Sequence, residues 1–142
     1  MDGKSSFFVY LRSDDSSYLF PENTPFSFTV ALPNTLKFQG AWECALAEIT
    51  YPDIEQTLSP DTLTLLCDFV ENSIIDGTTK TILRRFNDRQ FKGQVFGDCR
   101  YIDVVKSTAH QLAFRITTNN TNIHPQQQSG VTSIVLSFRK KT

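Results

Sequence analysis

Chemistry at neutral pH most often starts at a histidine, and this chain has two, His110 and His124. An imidazole works as a general base only with a partner within hydrogen-bond reach. Glu43, Glu48 and Asp103 are the carboxylates that a catalytic cleft would have to gather around either one. His110 precedes an alternating segment and His124 stands beside Pro125 in a polar stretch, so both are expected on the surface. No glycine-rich phosphate loop, nucleophile elbow or paired-histidine zinc motif occurs. Cys44, Cys67 and Cys99 lack the short spacing of a zinc site, and the first two fall inside apparent strands, where buried free thiols are expected. Asp14-Asp15 lies in a serine-rich stretch and supplies too few oxygens for a calcium loop. The expectation is a protein that is not an enzyme and that holds no metal or cofactor.

Two further charge patterns carry information. Glu43 and Glu48 sit on an otherwise apolar segment, where a carboxylate must be paired, hydrogen-bonded or at an edge. Arg84 and Arg85 are the expected ion-pair partners, since a guanidinium meets a carboxylate in bidentate fashion. Basic residues gather at Arg84, Arg85, Arg89, Lys92 and Arg100, and again in the tail Arg139-Lys140-Lys141. A nucleic-acid groove interleaves such charges with exposed aromatics, and Phe86, Phe91 and Phe96 fall nearby. Against that, 14 basic residues face 15 acidic ones for a net charge of -1, which gives no long-range attraction to a polyanion or an anionic membrane. Nucleic acid is therefore the weakest of the partner classes, and the phenylalanines are expected in the core. The tail remains able to dock on an acidic partner or on packaged DNA.

The elements that would position these residues are read from hydrophobic period. Phe26, Phe28, Val30 and Leu32 alternate with small or polar residues, as do Leu63, Leu65, Cys67 and Phe69, then Leu112, Phe114 and Ile116, then Ile134, Leu136 and Phe138. A period of two is the mark of a half-buried strand. Residues 7–11, 81–86 and 101–105 add short apolar or β-branched runs. Pro33-Asn34 reads as a turn, with a further short strand beginning at Leu36, and Asp76-Gly77 reads as a hairpin turn. Residues 41–51 have helix-favouring composition, yet Trp42, Cys44 and Leu46 alternate before Ile49 and Tyr51 continue on the opposite parity. A central strand with a bulge near Ala47 accounts for that switch.

These segments predict an all-β, single-domain antiparallel β-sandwich of jelly-roll type, with about eight strands over residues 1–142. Trp42, Phe28, Leu46, Phe114 and Leu136 are the expected core. Phe7, Phe8 and Tyr10 in the first strand, with Phe91 and Phe96 in the loop of residues 87–98, are the expected interface residues, because an uncharged edge and loop aromatics anchor contacts between copies. The apolar run at residues 7–11 is too short for a secretory signal and no window suits a membrane span, so neither secretion nor membrane insertion is expected.

Several segments also resemble a known family. Phe7-Phe8-Val9-Tyr10-Leu11, Phe20-Pro21-Glu22-Asn23-Thr24, residues 26–33 and the run from Gly40 through Trp42-Glu43 and Glu48-Ile49 to Tyr51-Pro52 follow the order seen in proteins of Maverick/Polinton elements and adintovirus-like DNA viruses. Cys67-Asp68-Phe69-Val70-Glu71 through Asp76-Gly77 to Leu83-Arg84-Arg85 and the terminal run 134–140 extend the resemblance over most of the chain. It implies a viral structural protein of the virion, made inside the cell: a penton-like minor capsid protein at vertices, assembled as a pentamer and touching other capsid proteins. The chain departs from the family in being short for a vertex protein, in Gln126-Gln127-Gln128-Ser129-Gly130 before the last strand, and in Cys44 where an aliphatic residue is expected. A trimeric spike or fibre-head domain that binds a host receptor therefore stands as the alternative.

Overall fold

A computed structural model describes residues 5–54, 62–88, 93–118, 121–122 and 129–141. These contain no helix. They form β1 (Ser6–Arg12), β2 (Ser27–Lys37), β3 (Trp42–Thr50), β4 (Thr62–Cys67), β5 (Ser73–Ile75), β6 (Thr78–Lys80), β7 (Ile82–Asn87), β8 (Gly93–Val95), β9 (Ile102–Asp103), β10 (Thr108–Thr118), β11 (Thr121–Asn122) and β12 (Ser133–Lys140).

All pairings between strands are antiparallel. The first sheet runs β1-β12-β3, and its far edge is shared by β8 and β9. In the second, β10 pairs with β4 and β4 with β7, while β2 and β11 take the other side of β10. The first strand thus lies beside the last, and successive long strands alternate between sheets except at β4 and β7, which are neighbours in one sheet. That is the jelly-roll order, built of two Greek keys. The described residues hold twelve strands rather than the expected eight: β8 and β9 share one edge position, β11 is a two-residue addition beside β10, and the small hairpin β5–β6 stands apart from both sheets.

One core fills the space between the sheets, and it draws residues from both ends of the chain, from Leu11 to Phe138. Phe138 stacks on Phe7 with ring centroids 5.0 Å apart, and Phe38 and Phe7 both meet Trp42 edge-on. In the other sheet Phe28 packs on Phe114 at 5.4 Å. Phe69, just beyond β4, touches both Phe114 and Phe138 and so links the two halves. Fully burying one such ring contributes roughly 1.5–3 kcal/mol. Trp42, Phe28, Leu46, Phe114 and Leu136 are all buried. The ring neighbours of Trp42, however, are Phe7 and Phe38, whereas Phe28 and Phe114 pair with each other.

Three irregularities shape the strands. Leu46 pairs with Leu136 and Glu48 with Val135, so Ala47 is the extra residue of a bulge in β3, and the apolar parity switches there. Leu83 is bulged in the same way between Arg84 and Ile82, which face Leu65 and Leu66. The Pro33-Asn34 turn is corrected: β2 passes through both residues, with Ala31 opposite Gln111 and Leu36 opposite Ala109. A proline has no N–H for a ladder but fits a bulge, so a wide bulge absorbs the pair without reversing the chain. The hairpin at Asp76-Gly77 forms as expected, both residues taking positive φ, 48° and 78°.

Candidate assembly surface

Residues 7–11 are apolar on both parities, and pairing with β12 decides which side faces in. Phe7, Val9 and Leu11 sit opposite Phe138, Leu136 and Ile134 and join the core. Phe8 and Tyr10 point outward, 59% and 72% exposed. The expectation that Phe7 is an interface residue is corrected accordingly: its ring lies against Phe138 and Trp42.

Backbone parity separates the two margins of β1. Lys140 N–H donates to the Ser5 carbonyl and Ser13 N–H donates to the Thr132 carbonyl, both at 2.8 Å. With the register Ser6 opposite Arg139, odd-numbered residues of β1 therefore bond to β12. Ser6, Phe8, Tyr10 and Arg12 turn their N–H and C=O groups to the free rim. Among the described residues Arg12 alone is satisfied there: its N–H donates to Asp15 Oδ2 at 2.8 Å, and Asp15 N–H donates back to its carbonyl at 3.1 Å. Its guanidinium is held by Asp14 through Nε to Oδ1 at 3.0 Å and Nη2 to Oδ2 at 3.1 Å. That hydrogen bond lowers the Asp14 pKa and raises that of Arg12. Asp14-Asp15 is thus a strand terminator.

The opposite margin of the same sheet is formed by β8 and β9. Phe96 N–H donates to the Ala47 carbonyl, which carries the chain from β8 past the bulge. Phe96 was expected at an interface, and it is corrected to a partly buried position: its ring meets Phe86 edge-on and carries the Arg84 guanidinium 4.0 Å above its centroid. Arg84 is 7% exposed and donates to the Asp98 carbonyl at 2.8 Å and to Asp98 Oδ1 at 3.3 Å. The hydrogen bond from Arg84 holds the Asp98 carboxyl below its ordinary range. Arg84 therefore closes the side of the sandwich where β7 faces β8, next to an open groove of 810 Å³. Phe91, Arg89, Lys92 and His124 lie outside the described residues.

The expected ion pairs are also corrected. Glu43 accepts from Arg139 Nε at 2.6 Å, on the neighbouring strand β12, where the register sets the two directly opposite. Arg84 binds Asp98, and Glu48 and Arg85 are exposed. Above the Glu43–Arg139 pair lies Tyr101, whose ring carries the Arg139 guanidinium at 3.6 Å and whose hydroxyl shares a 2.8 Å hydrogen bond with Ser137 Oγ. Lys141 binds Asp103 at 2.9 Å. The basic tail is thus mostly neutralised within the chain, and among the described residues Lys140 is its exposed cation without an ion pair.

His110 is exposed on β10 in the second sheet, while Glu43 and Glu48 belong to the first. Asp103 is already engaged by Lys141. The larger groove, 950 Å³, lies outside the second sheet between residues 19–23 and the strand ends near Asp68, Lys80 and Arg115, and no histidine lines it. Cys44 and Cys67 are buried, and desolvation pushes both thiols up, away from the reactive thiolate. The signal that sequence reasoning missed is Tyr101: nothing in residues 97–101 marks a tyrosine that folds across the outer face of a sheet. No protein-family model and no curated protein matches the chain.

Proposed function

We propose that this protein is a structural subunit of a virus particle, a penton-like vertex component that works by assembling with copies of itself and with other capsid proteins. The observation that carries the reading is a jelly-roll sandwich whose first strand exposes Phe8 and Tyr10 on an edge left unpaired among the described residues. Exposed aromatics on an open edge suit burial between subunits, and cyclic symmetry repeats one such patch on every copy. The resemblance of residues 7–11, 20–33 and 40–52 to the Maverick/Polinton proteins supports the same reading. The fold by itself hosts many functions.

The alternative, a three-fold spike or fibre-head domain that binds a host receptor, draws support from the β5–β6 hairpin, which joins neither sheet and exposes Ile74 by 80%. Loops and hairpins on a rigid scaffold are where recognition usually resides. Light scattering of the purified chain separates the two. Rings of five favour the vertex protein and rings of three the spike. A chain that stays at one or two copies at high concentration would overturn self-assembly into a ring.

A further inference from the structure

The rim of β1 presents the N–H and C=O groups of Ser6, Phe8 and Tyr10 with no partner among the described residues, and its last member, Arg12, is capped by Asp15. We propose that this rim is a two-fold interface, on which the β1 of a second copy pairs antiparallel with Phe8 opposite Phe8 of the partner subunit.

Three features select a second copy as the occupant. The first is register. Centring the two-fold axis on Phe8 sets Ser6 opposite Tyr10 of the partner subunit and pairs every unpaired rim group in both copies. Moving the axis to Val9 sets Ser6 against the capped Arg12. Moving it to Phe7 sets Tyr10 beyond the first residue of the strand. The second is charge. Residues 5–11 carry none, so the paired rim positions meet no like charge, and of the two flanking cations, Lys4 and Arg12, the second is neutralised by Asp14. Edge strands that avoid pairing usually place a lysine, a proline or a bulge at this position. The third is face. The pairing keeps parity, so Phe8 and Tyr10 of both copies form one aromatic row on the outer face, and Phe7 and Val9 extend the buried stripe.

The pairing does not rest on the capsid reading, and the two fail separately. It doubles whatever ring forms. A mass of two copies carries the pairing alone, three or five copies carry a ring and overturn the pairing, and six or ten copies carry both. A monomer at high concentration overturns both. Two variants of the full chain test the rim, with circular dichroism as the check on folding. Phe8→Pro removes a rim N–H that the β1–β12 ladder does not use. Phe8→Lys sets two like charges opposite each other across the axis. Each is expected to halve the mass with the spectrum unchanged, and a folded Phe8→Lys protein of wild-type mass would overturn the proposal.

Register is tested by Phe8→Cys in a Cys99→Ser background, oxidised with glutathione disulfide. Hydrogen-bonded antiparallel pairs place their Cα atoms about 5.5 Å apart, within the range of roughly 4.4–6.8 Å that a disulfide spans. Phe8→Cys is expected to give a covalent dimer at least about tenfold faster than Tyr10→Cys. The reverse order would overturn the proposed register.

Discussion

β1 and β2 follow one another in the chain, each is the outermost strand of its sheet, and their rims are treated oppositely. On β2, Ser27 exchanges backbone hydrogen bonds with Thr24, at 2.9 and 3.3 Å. The Asn23 side chain brackets Thr29, accepting from its N–H at 3.0 Å and donating to its carbonyl at 2.8 Å. Ala31 N–H donates to the buried Ser16 hydroxyl at 2.9 Å. Residues 13–24 thus behave as a side-chain strand laid along β2. The same segment caps Arg12 at the end of β1 and leaves Tyr10, Phe8 and Ser6 bare. Serine, aspartate and asparagine suited to capping are at hand, so the open rim reflects where the chain sends them. A buried or aggregation-prone edge has to be satisfied or guarded; leaving one open and uncharged while the other is capped from Ser27 to Ala31 is what a contact surface requires.

The largest effect separates the inner face of the β1 sheet from its outer face. Trp42 is 3% exposed, and its indole N–H donates to the Gln39 carbonyl at 3.0 Å. Trp42→Ala is expected to cost about 3–5 kcal/mol in chemical denaturation. Tyr10→Ala, measured in the Phe8→Lys background so that no assembly contributes, is expected to stay within about 0.5 kcal/mol. A melting temperature unchanged by Trp42→Ala would move the core away from this sheet.

Next comes the capped rim. Asn23→Ala removes the bracket from Thr29 and returns two backbone groups to water on a partly buried edge. The expected cost is roughly 1–2 kcal/mol, with new concentration-dependent association through β2. Ser6→Ala on the open rim is expected to change stability by less than about 0.5 kcal/mol. An Asn23→Ala protein as stable and as soluble as the wild type would remove the contrast on which the two-fold proposal leans.

The contrast between the rims was only half legible in the sequence. Alternation identified β2, β4, β10 and β12, and the parity switch after Leu46 located the bulge that the structure places at Ala47. In residues 7–11 every residue is apolar, so parity alone could not distinguish Phe7, which packs on Phe138, from Phe8, which is exposed. The ion pairs were misassigned for a different reason. Glu43 and Arg139 are 96 positions apart, and only the β3–β12 register brings them together. Arg84 is expected from the sequence to pair with Glu43 or Glu48, yet its aliphatic stem and planar head suit a buried position over Phe96, which no local pattern announces. Nothing local marks Asn23 and Ser16, because their role depends on where β2 runs.

A smaller effect tests whether the open rim is ordered. Cys44 lies in β3 behind β12 and β1, and Cys67 lies in the sheet that β2 bounds. Both thiols are buried and pushed up by desolvation, whereas Cys99 is partly exposed. At pH 8 a thiol-specific dye is expected to label Cys99 alone in the native protein and all three cysteines after denaturation. Labelling of Cys44 at a rate close to that of Cys99 would mean that β1 frays from β12, and a frayed strand offers no template for a second copy.

The smallest effect sits where β1 ends. The hydrogen bond from Arg12 lowers the Asp14 pKa in the folded chain, while the unfolded chain returns it to about 3.9. The unfolded state therefore binds a proton at higher pH than the folded state does. The pair's stabilisation is fully present above the unfolded value and is lost as pH falls through the lower folded one. Both side chains are about half exposed, so solvent and salt screen most of it. In melting curves taken from pH 6 down to pH 2, the wild type is expected to lie slightly above Asp14→Asn at the upper end. The two curves should merge at the acid end, and added salt should narrow the gap at pH 6. Freed by that substitution, Arg12 also becomes an unpaired cation beside the rim, so the two-copy species should weaken in Asp14→Asn at low ionic strength and recover in salt. An Asp14→Asn dimer indifferent to salt would show that the charge of Arg12 does not reach the interface, and that the backbone cap by Asp15 alone sets where the pairing stops.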